Sequence, residues 1–174
     1  MVTETWKTFL KKNALARFSY YLNGRVWVLS EVQKEILEIL DNSVIDNALI
    51  QERMSRAEML FWLWTLGAYE VIRTMHQAKK CFSEMVQNEL FHLKKTLAVV
   101  RMPSAKMEKA GEKIPITSNR SAAGFDFRTK DLIVGDPEDP QLARKLMEKF
   151  SNFIAALKES DILSSHENSY DKKS

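Results

Sequence analysis

Residues 59–76 read MLFWLWTLGAYEVIRTMH, an almost continuous apolar run that carries Glu70, Arg73 and His76 at intervals of three. When it is placed on a helix, large apolar side chains occur all round, which predicts a helix enclosed by other helices. Just before it, residues 55–58 read SRAE, the pattern of a capping box. We therefore expect the central helix to begin at Ser55 and to end near Lys80.

The composition favours helices and one domain. The chain has 174 residues, of which 45% are hydrophobic and 28% are charged, with only five Gly and four Pro. A chain of this length encloses one sizeable core. The small number of Gly and Pro residues, which interrupt helices, favours long regular elements. We predict an all-α fold, a bundle of four or five helices, with residues 1–158 as a single domain.

Two further helices are predicted downstream. Apolar residues spaced by three and four predict an amphipathic helix that Pro103 should end or kink, namely Val86, Leu90, Leu93, Leu97 and Val100. The last helix is expected to have Asp139 as N-cap and Pro140 at its first position, with one apolar face formed by Leu142, Leu146, Phe150, Phe153 and Leu157. Residues 159–174 are polar and predict a flexible tail.

The N-terminal third has two interpretations. Residues 30–33 read SEVQ, a second capping-box pattern, and apolar spacing predicts a helix over residues 30–41. Asn23-Gly24 stands between aromatic and β-branched residues, which is the pattern of a hairpin over residues 17–29. One long helix through Gly24 is the alternative, and it is favoured because a lone hairpin in a bundle has no sheet to join.

A long insertion between Pro103 and Asp139 carries no helical periodicity. Within it, GFDFRTKDLIVGD (residues 124–136) predicts a small β-hairpin. Residues 101–130 contain seven cations against three acids, which predicts a binding segment for an anionic partner. These cations are Arg101, Lys106, Lys109, Lys113, Arg120, Arg128 and Lys130.

The polar residues at the end of the central stretch are the candidate site. Glu70 and Arg73 continue a stripe of apolar residues, with His76 on its flank, so we expect partial burial. The first interpretation is a structural ion pair inside the bundle. The alternative is an active site that also recruits Arg101 from the following helix.

Metal and cofactor chemistry is not supported by the sequence. Glu89 and His92 form one Glu-x-x-His, but a di-iron site needs a second copy and two further glutamates, which are missing. His76 and Cys81 diverge on a helix, and one cysteine with three histidines does not predict a zinc site. No dinucleotide or phosphate-loop fingerprint occurs. We predict no metal and no cofactor.

Arg101-Met102-Pro103-Ser104-Ala105-Lys106 resembles the Arg-x4-6-His motif of HEPN domains, with Lys106 in the place of the histidine. Those domains are helical bundles, and many act as metal-independent ribonucleases of toxin and defence systems. The resemblance implies that Arg101 would work with a polar residue of the preceding helix, Glu70 or Arg73. Lysine binds phosphate but is a poor general base near neutral pH, so the replacement favours a binding or regulatory member.

Two functional hypotheses follow. The first is a non-catalytic interaction or regulatory module that binds RNA or an acidic protein. The second is a metal-independent, HEPN-like ribonuclease that uses Arg101 with Glu70, Arg73 or His76. The start MVTETWKTFLKKN has no apolar leader, a single cysteine fits a reducing compartment, and no stretch reaches the length of a membrane span. We therefore expect a cytoplasmic protein without membrane contact that is able to form a homodimer.

Overall fold

The computed structural model describes residues 4–108, 110–112, 124–136 and 139–167. Its α-helices are α1 (Glu4–Lys12), α2 (Leu15–Phe18), α3 (Tyr20–Asp41), α4 (Gln51–Gln77), α5 (Glu84–Lys106) and α6 (Ala143–Ala156). Its strands are β1 (Val44–Ile45), β2 (Ala48–Leu49), β3 (Gly124–Asp126), β4 (Asp131–Asp136) and β5 (Asp139–Leu142). The fold is mostly helical, as predicted, but the strands mean that it is not purely all-α.

Helix α4 lies at the centre of the fold, between α3 and α5. Its core side repeats at helical spacing and comprises Met54, Ala57, Phe61, Trp64, Ala68, Val71, Ile72 and Met75. At Gly67 the helix approaches α3 closely, since a Cβ at this position would lie 2.8 Å from Leu29 Cδ2. A side chain here would force the two helices or Leu29 to shift.

The prediction that α4 is enclosed on all sides was wrong. Met59, Trp62 and Leu63 are 55%, 43% and 50% exposed, so one side of the helix faces solvent. The helix also begins at Gln51 rather than at Ser55, which lies in its interior. The hairpin of β1 and β2 ends directly before it, and the added turn buries Met54 in the core.

Helix α3 settles the two interpretations of residues 17–29. It runs from Tyr20 through Gly24 to Asp41, and the Ser19 hydroxyl accepts a 3.2 Å hydrogen bond from the Leu22 amide as its N-cap. The helix through Gly24 is therefore confirmed. The capping pattern at Ser30 was wrong, because Ser30 lies in the middle of this helix.

Helix α5 confirms the predicted apolar stripe, whose five members are all buried. Pro103 does not end the helix, which continues to Lys106 and is closed by Met107 in a left-handed conformation, with φ of 54°. Proline has no backbone N–H and so removes one hydrogen bond from the helix. The helix tolerates this loss because only its last turn lies beyond Pro103.

The predicted β-hairpin is confirmed and gains a third strand. Strands β3, β4 and β5 form an antiparallel sheet in that order, with Phe125 paired to Leu132 and Ile133 paired to Leu142. Asp139 and Pro140 belong to edge strand β5, so the prediction that Asp139 caps the last helix was wrong. Proline is tolerated there because an edge strand has amides without ladder partners.

Helix α6 takes its cap from the sheet. The Asp131 carboxylate in β4 accepts hydrogen bonds of 3.1 and 3.3 Å from the Arg144 amide in the first turn of α6. Burial raises the pKa of Asp131 above its ordinary value, while these amide hydrogen bonds act in the opposite direction. This cap fixes the start of α6 relative to β4. In α6, Leu146, Phe150 and Phe153 are buried, as predicted.

The prediction of a flexible tail was wrong for residues 159–167. Glu159–Asp161 form a short 3₁₀ turn, and Ile162 is 3% exposed and pairs with Phe82. Backbone hydrogen bonds of 2.8 Å join the Leu163 amide to the Cys81 carbonyl and the His166 amide to the Phe18 carbonyl. Polar composition concealed the one apolar anchor, Ile162. Residues 168–174 of the predicted tail lie outside the described residues.

Candidate functional site

Glu70 and Arg73 form an ion pair on the protein surface. Arg73 Nη2 lies 2.7 Å from Glu70 Oε2, and the side chains are 40% exposed for Arg73 and 49% for Glu70. Arg73 and His76 are partly buried, as expected, whereas Glu70 is exposed. The position of the pair inside the bundle was wrong, because the stripe from Met59 through Leu63 to Glu70 is the solvent side of α4. The pair is therefore neither a buried structural pair nor a site enclosed by the bundle.

We expect Glu70→Ala and Arg73→Ala each to change the free energy of unfolding by less than about 1 kcal/mol, because water screens an exposed pair and the long side chains lose entropy on pairing. Chemical denaturation of the two variants and of the double variant measures this. A loss of about 3 kcal/mol from either single change would mean that the surviving charge is buried.

His76 lies in the last turn of α4 beside a cation of α5. The Lys94 ammonium is 3.4 Å from His76 Nδ1, and the Phe91 ring stacks on the imidazole with centroids 6.3 Å apart. Burial, then the charges of Lys94 and Lys79, lower the pKa of His76 below its ordinary value. The positive potential at this point therefore favours a neutral imidazole and attracts anions.

Arg101 projects from α5 onto an aromatic ring of α4. Its guanidinium carbon lies 4.8 Å from the centroid of the Tyr69 ring, and its Nη1 lies 3.2 Å from Met102 Sδ. Arg101 Nε is buried and has no hydrogen-bond partner among the described residues. A buried donor of a cation without a partner is a feature that calls for a ligand or a functional reason.

The two contacts reveal a common register between α4 and α5. Seven residues separate Tyr69 from His76, and seven separate Arg101 from Lys94, so the helices run antiparallel with matching steps. Arg73 lies four residues after Tyr69 and three before His76, which places it on the same face. We call this face the basic seam: Tyr69, Arg73 and His76 of α4 with Phe91, Lys94, Lys95 and Arg101 of α5.

The seam separates the predicted site residues instead of gathering them at one point. Arg101 and His76 are about 10 Å apart along the helix axes, because seven residues with a rise of 1.5 Å each separate the two contacts. Arg73 lies between them and is paired with Glu70. The arrangement provides a row of cations, which suits an extended anion better than a single reacting group.

Sequence reasoning missed the α5 half of the seam. Phe91 is 45% exposed, and the Lys95 ammonium lies 4.4 Å from the centroid of its ring. The signal was the spacing of Phe91, Lys94 and Arg101, which share one face of a continuous helix. Lys94 and Lys95 precede residue 101, where the predicted binding segment begins, and so they were not among its cations.

The cations of the insertion are only partly described. Lys106 is exposed in the last turn of α5, and Arg128 and Lys130 are exposed between β3 and β4. Lys130 donates a 3.2 Å hydrogen bond to the Asp41 carbonyl at the end of α3. Lys109, Lys113 and Arg120 lie outside the described residues, so the predicted binding segment stays a prediction.

The Glu-x-x-His of the sequence lies on the surface of the described protein. Glu89 and His92 are both exposed on α5, and within the described ranges no three His, Cys, Asp or Glu residues cluster as metal ligands would. None of the helices in those ranges is both long and apolar enough to cross a bilayer.

Comparison with known proteins assigns no family to this arrangement. Neither a family model, nor a curated protein, nor a solved structure matches the chain. The resemblance to HEPN domains therefore rests on residues 101–106 alone and stays a prediction. Any functional proposal must come from the geometry of the basic seam.

Proposed function

We propose that this chain is a non-catalytic module that binds single-stranded RNA along the basic seam. The observation that carries the proposal is the alternation of cations and aromatic rings along α4 and α5, from Arg101 on Tyr69 to Lys94 beside His76. Proteins that bind single strands combine a positively charged track for the backbone with aromatic side chains for the bases. The seam has both parts within about 10 Å.

The exposed aromatic ring favours RNA over an acidic protein. Phe91 is 45% exposed and lies among Lys94, Lys95 and His76, so a base that displaces the Lys95 ammonium from the ring gains an aromatic surface next to groups that bind phosphate. Carboxylates of an acidic protein would use the cations but would gain nothing from the ring. An acidic partner is therefore the alternative that the experiment must distinguish.

The spacing argues against acid–base catalysis by the predicted residues. A general base must lie within hydrogen-bond reach of the proton that it removes. His76 and Arg101 are about 10 Å apart along the helices, and Lys106 is exposed five residues beyond Arg101. These groups are suited to binding successive phosphates.

RNA binding along the seam should weaken steeply with salt. We expect a fluorescently labelled uridine-rich oligonucleotide to bind at low salt, with a logarithmic affinity that falls linearly with the logarithm of salt concentration. The double variant Lys94→Gln/Lys95→Gln should reduce the size of that slope by about 1.4, which is about 0.7 for each lost phosphate contact. Fluorescence anisotropy at several salt concentrations measures this.

Lys11→Gln/Lys12→Gln is the matched control, because it removes two exposed lysines from α1 and leaves the seam intact. Its slope should equal that of the wild type. Absence of binding at low salt would refute the RNA proposal, and displacement of RNA by an equal charge of polyglutamate would favour an acidic protein partner. Cleavage of mixed RNA in the presence of a chelator would instead support the HEPN-like ribonuclease.

A further inference from the structure

A cleft of about 380 Å³ opens beside the seam, between α4, strand β4 and the end of α5. Its α4 wall includes Glu58, Phe61, Trp62 and Thr65, and Ser104 belongs to its α5 side. Trp62 is 43% exposed, so its ring is accessible from solvent. The cleft therefore has a large aromatic surface and a small number of polar groups, as ligand sites do.

Two polar groups of the cleft have no partner in the described part of the protein, whereas the Ser104 hydroxyl donates a 2.8 Å hydrogen bond to the Val100 carbonyl. Thr65 is 1% exposed, and its hydroxyl is buried without a hydrogen bond. The half-buried Glu58 carboxylate forms no hydrogen bond or ion pair with a described residue. Burial raises the pKa of Glu58 above its ordinary value, and no neighbouring cation opposes this. Buried polar groups are nearly always paired, so the Thr65 hydroxyl calls for a partner. The half-buried Glu58 carboxylate lines the same cleft and is open to a ligand.

The cleft and the basic seam follow one another along α4 and α5. Thr65 lies four residues before Tyr69 on the same face of α4, and Ser104 lies three residues after Arg101 on α5. Along α4 the order is Glu58, then Thr65 about 10 Å further on, then the Tyr69–Arg101 pair about 6 Å beyond that. Arg101, whose buried Nε has no partner among the described residues, is the seam cation nearest in sequence to Ser104 of the cleft.

We propose that this cleft holds one guanine nucleotide of the bound RNA, with the Glu58 carboxylate on the base, the Thr65 hydroxyl on the ribose and Arg101 on the phosphate. This inference rests on the proposed function, because the seam delivers the strand to the cleft. The order of acceptor, hydroxyl and cation along the helices follows the order of base, sugar and phosphate in a nucleotide. Single-stranded RNA is read in this way, by a base that is stacked on an aromatic side chain and hydrogen-bonded at its edge.

The carboxylate selects guanine among the four bases. An ionised carboxylate is an acceptor with two oxygens, so it needs two adjacent donors. The Watson–Crick edge of guanine presents such a pair, the N1–H and the N2 amino group. The corresponding edges of adenine, cytosine and uracil each present one donor next to an acceptor, which would face the second carboxylate oxygen unpaired.

The first experiment compares heptameric RNAs that differ only at the central base. In a uridine context, the oligonucleotide with guanine should bind at least about tenfold more tightly than those with adenine, cytosine or uracil, as one bidentate base contact implies. Inosine, which lacks the N2 amino group, should bind with intermediate affinity. Fluorescence anisotropy with full-length protein at one fixed salt concentration gives the five affinities.

The second experiment assigns the preference to named residues. Glu58→Gln should abolish the guanine preference, because an amide offers one acceptor and one donor group. Glu52→Gln, the same charge change at an exposed position on α4, should retain the preference. Thr65→Val should weaken binding of the guanine oligonucleotide while the denaturation midpoint stays equal or rises, because an unpaired buried hydroxyl is removed.

The outcomes separate this inference from the proposed function. Equal binding of all heptamers, with a normal salt slope, overturns the guanine site and leaves the RNA-binding module standing. A guanine preference that survives Glu58→Gln overturns the role of the carboxylate. If no RNA binds, the proposed function fails, and calorimetry with guanosine monophosphate then decides the cleft: saturable binding that Glu58→Gln weakens supports it, and no binding overturns it.

Discussion

Trp64→Ala should lower the free energy of unfolding by about 3 to 5 kcal/mol, the range for removing a large aromatic side chain from a core. Trp64 is 1% exposed, stacks on Phe61 with ring centroids 5.8 Å apart, and meets Phe150 of α6 edge-on at 5.4 Å. The substitution therefore leaves a cavity between α4 and α6 and removes two ring contacts. Chemical denaturation followed by circular dichroism measures the loss.

Trp62→Ala is the matched control for this change. Trp62 is the same residue type two positions away on the same helix, but it is 43% exposed. Its removal should cost less than about 1 kcal/mol, in the range of surface substitutions. Equal losses for the two variants would contradict the assignment of Trp64 to the core side of α4.

Ile162→Ala should lower the free energy of unfolding by about 2 to 5 kcal/mol, as expected for a large-to-small change at a buried aliphatic residue. Ile162 is 3% exposed and pairs with Phe82, which is fully buried. Around it, the Ser83 amide donates a 2.9 Å hydrogen bond to the Asp161 carbonyl, so the C-terminal segment closes one end of the core. Urea denaturation of the purified variant gives the change.

Leu163→Ala provides the comparison, because the neighbouring Leu163 side chain is 63% exposed. Its truncation should leave stability nearly unchanged. Small and equal effects at both positions would mean that the chain after Lys158 contributes little to the fold, as composition alone had suggested.

The sequence predicted well where one periodic pattern had one explanation. In α5, apolar residues recur at steps of three and four, and all five members of that stripe are buried. The hairpin at residues 124–136 was also found, because alternating apolar residues and a turn favour antiparallel strands locally. Such elements follow from contacts between residues that are close in the chain.

Helix boundaries depended on contacts with distant parts of the chain. The capping pattern at Ser55 lies inside α4, because continuing the helix to Gln51 buries Met54. The start of α6 is set by the carboxylate of Asp131, thirteen residues before the amide that it caps. A capping pattern stabilises a helix end only where the preceding chain leaves the helix, and here the neighbouring elements determine where that happens.

By itself, the sequence determined that this chain is mostly helical and that its most apolar stretch, residues 59–76, forms a central helix. It did not determine which side of that helix is buried, because large apolar side chains occur on all sides. Only packing against α3 and α5 left Glu70 and Arg73 in solvent and aligned Arg101 with Tyr69. The basic seam and the cleft depend on the register between α4 and α5. That register results from the packing of side chains across the interface between the two helices. The spacing of residues within one helix does not encode it.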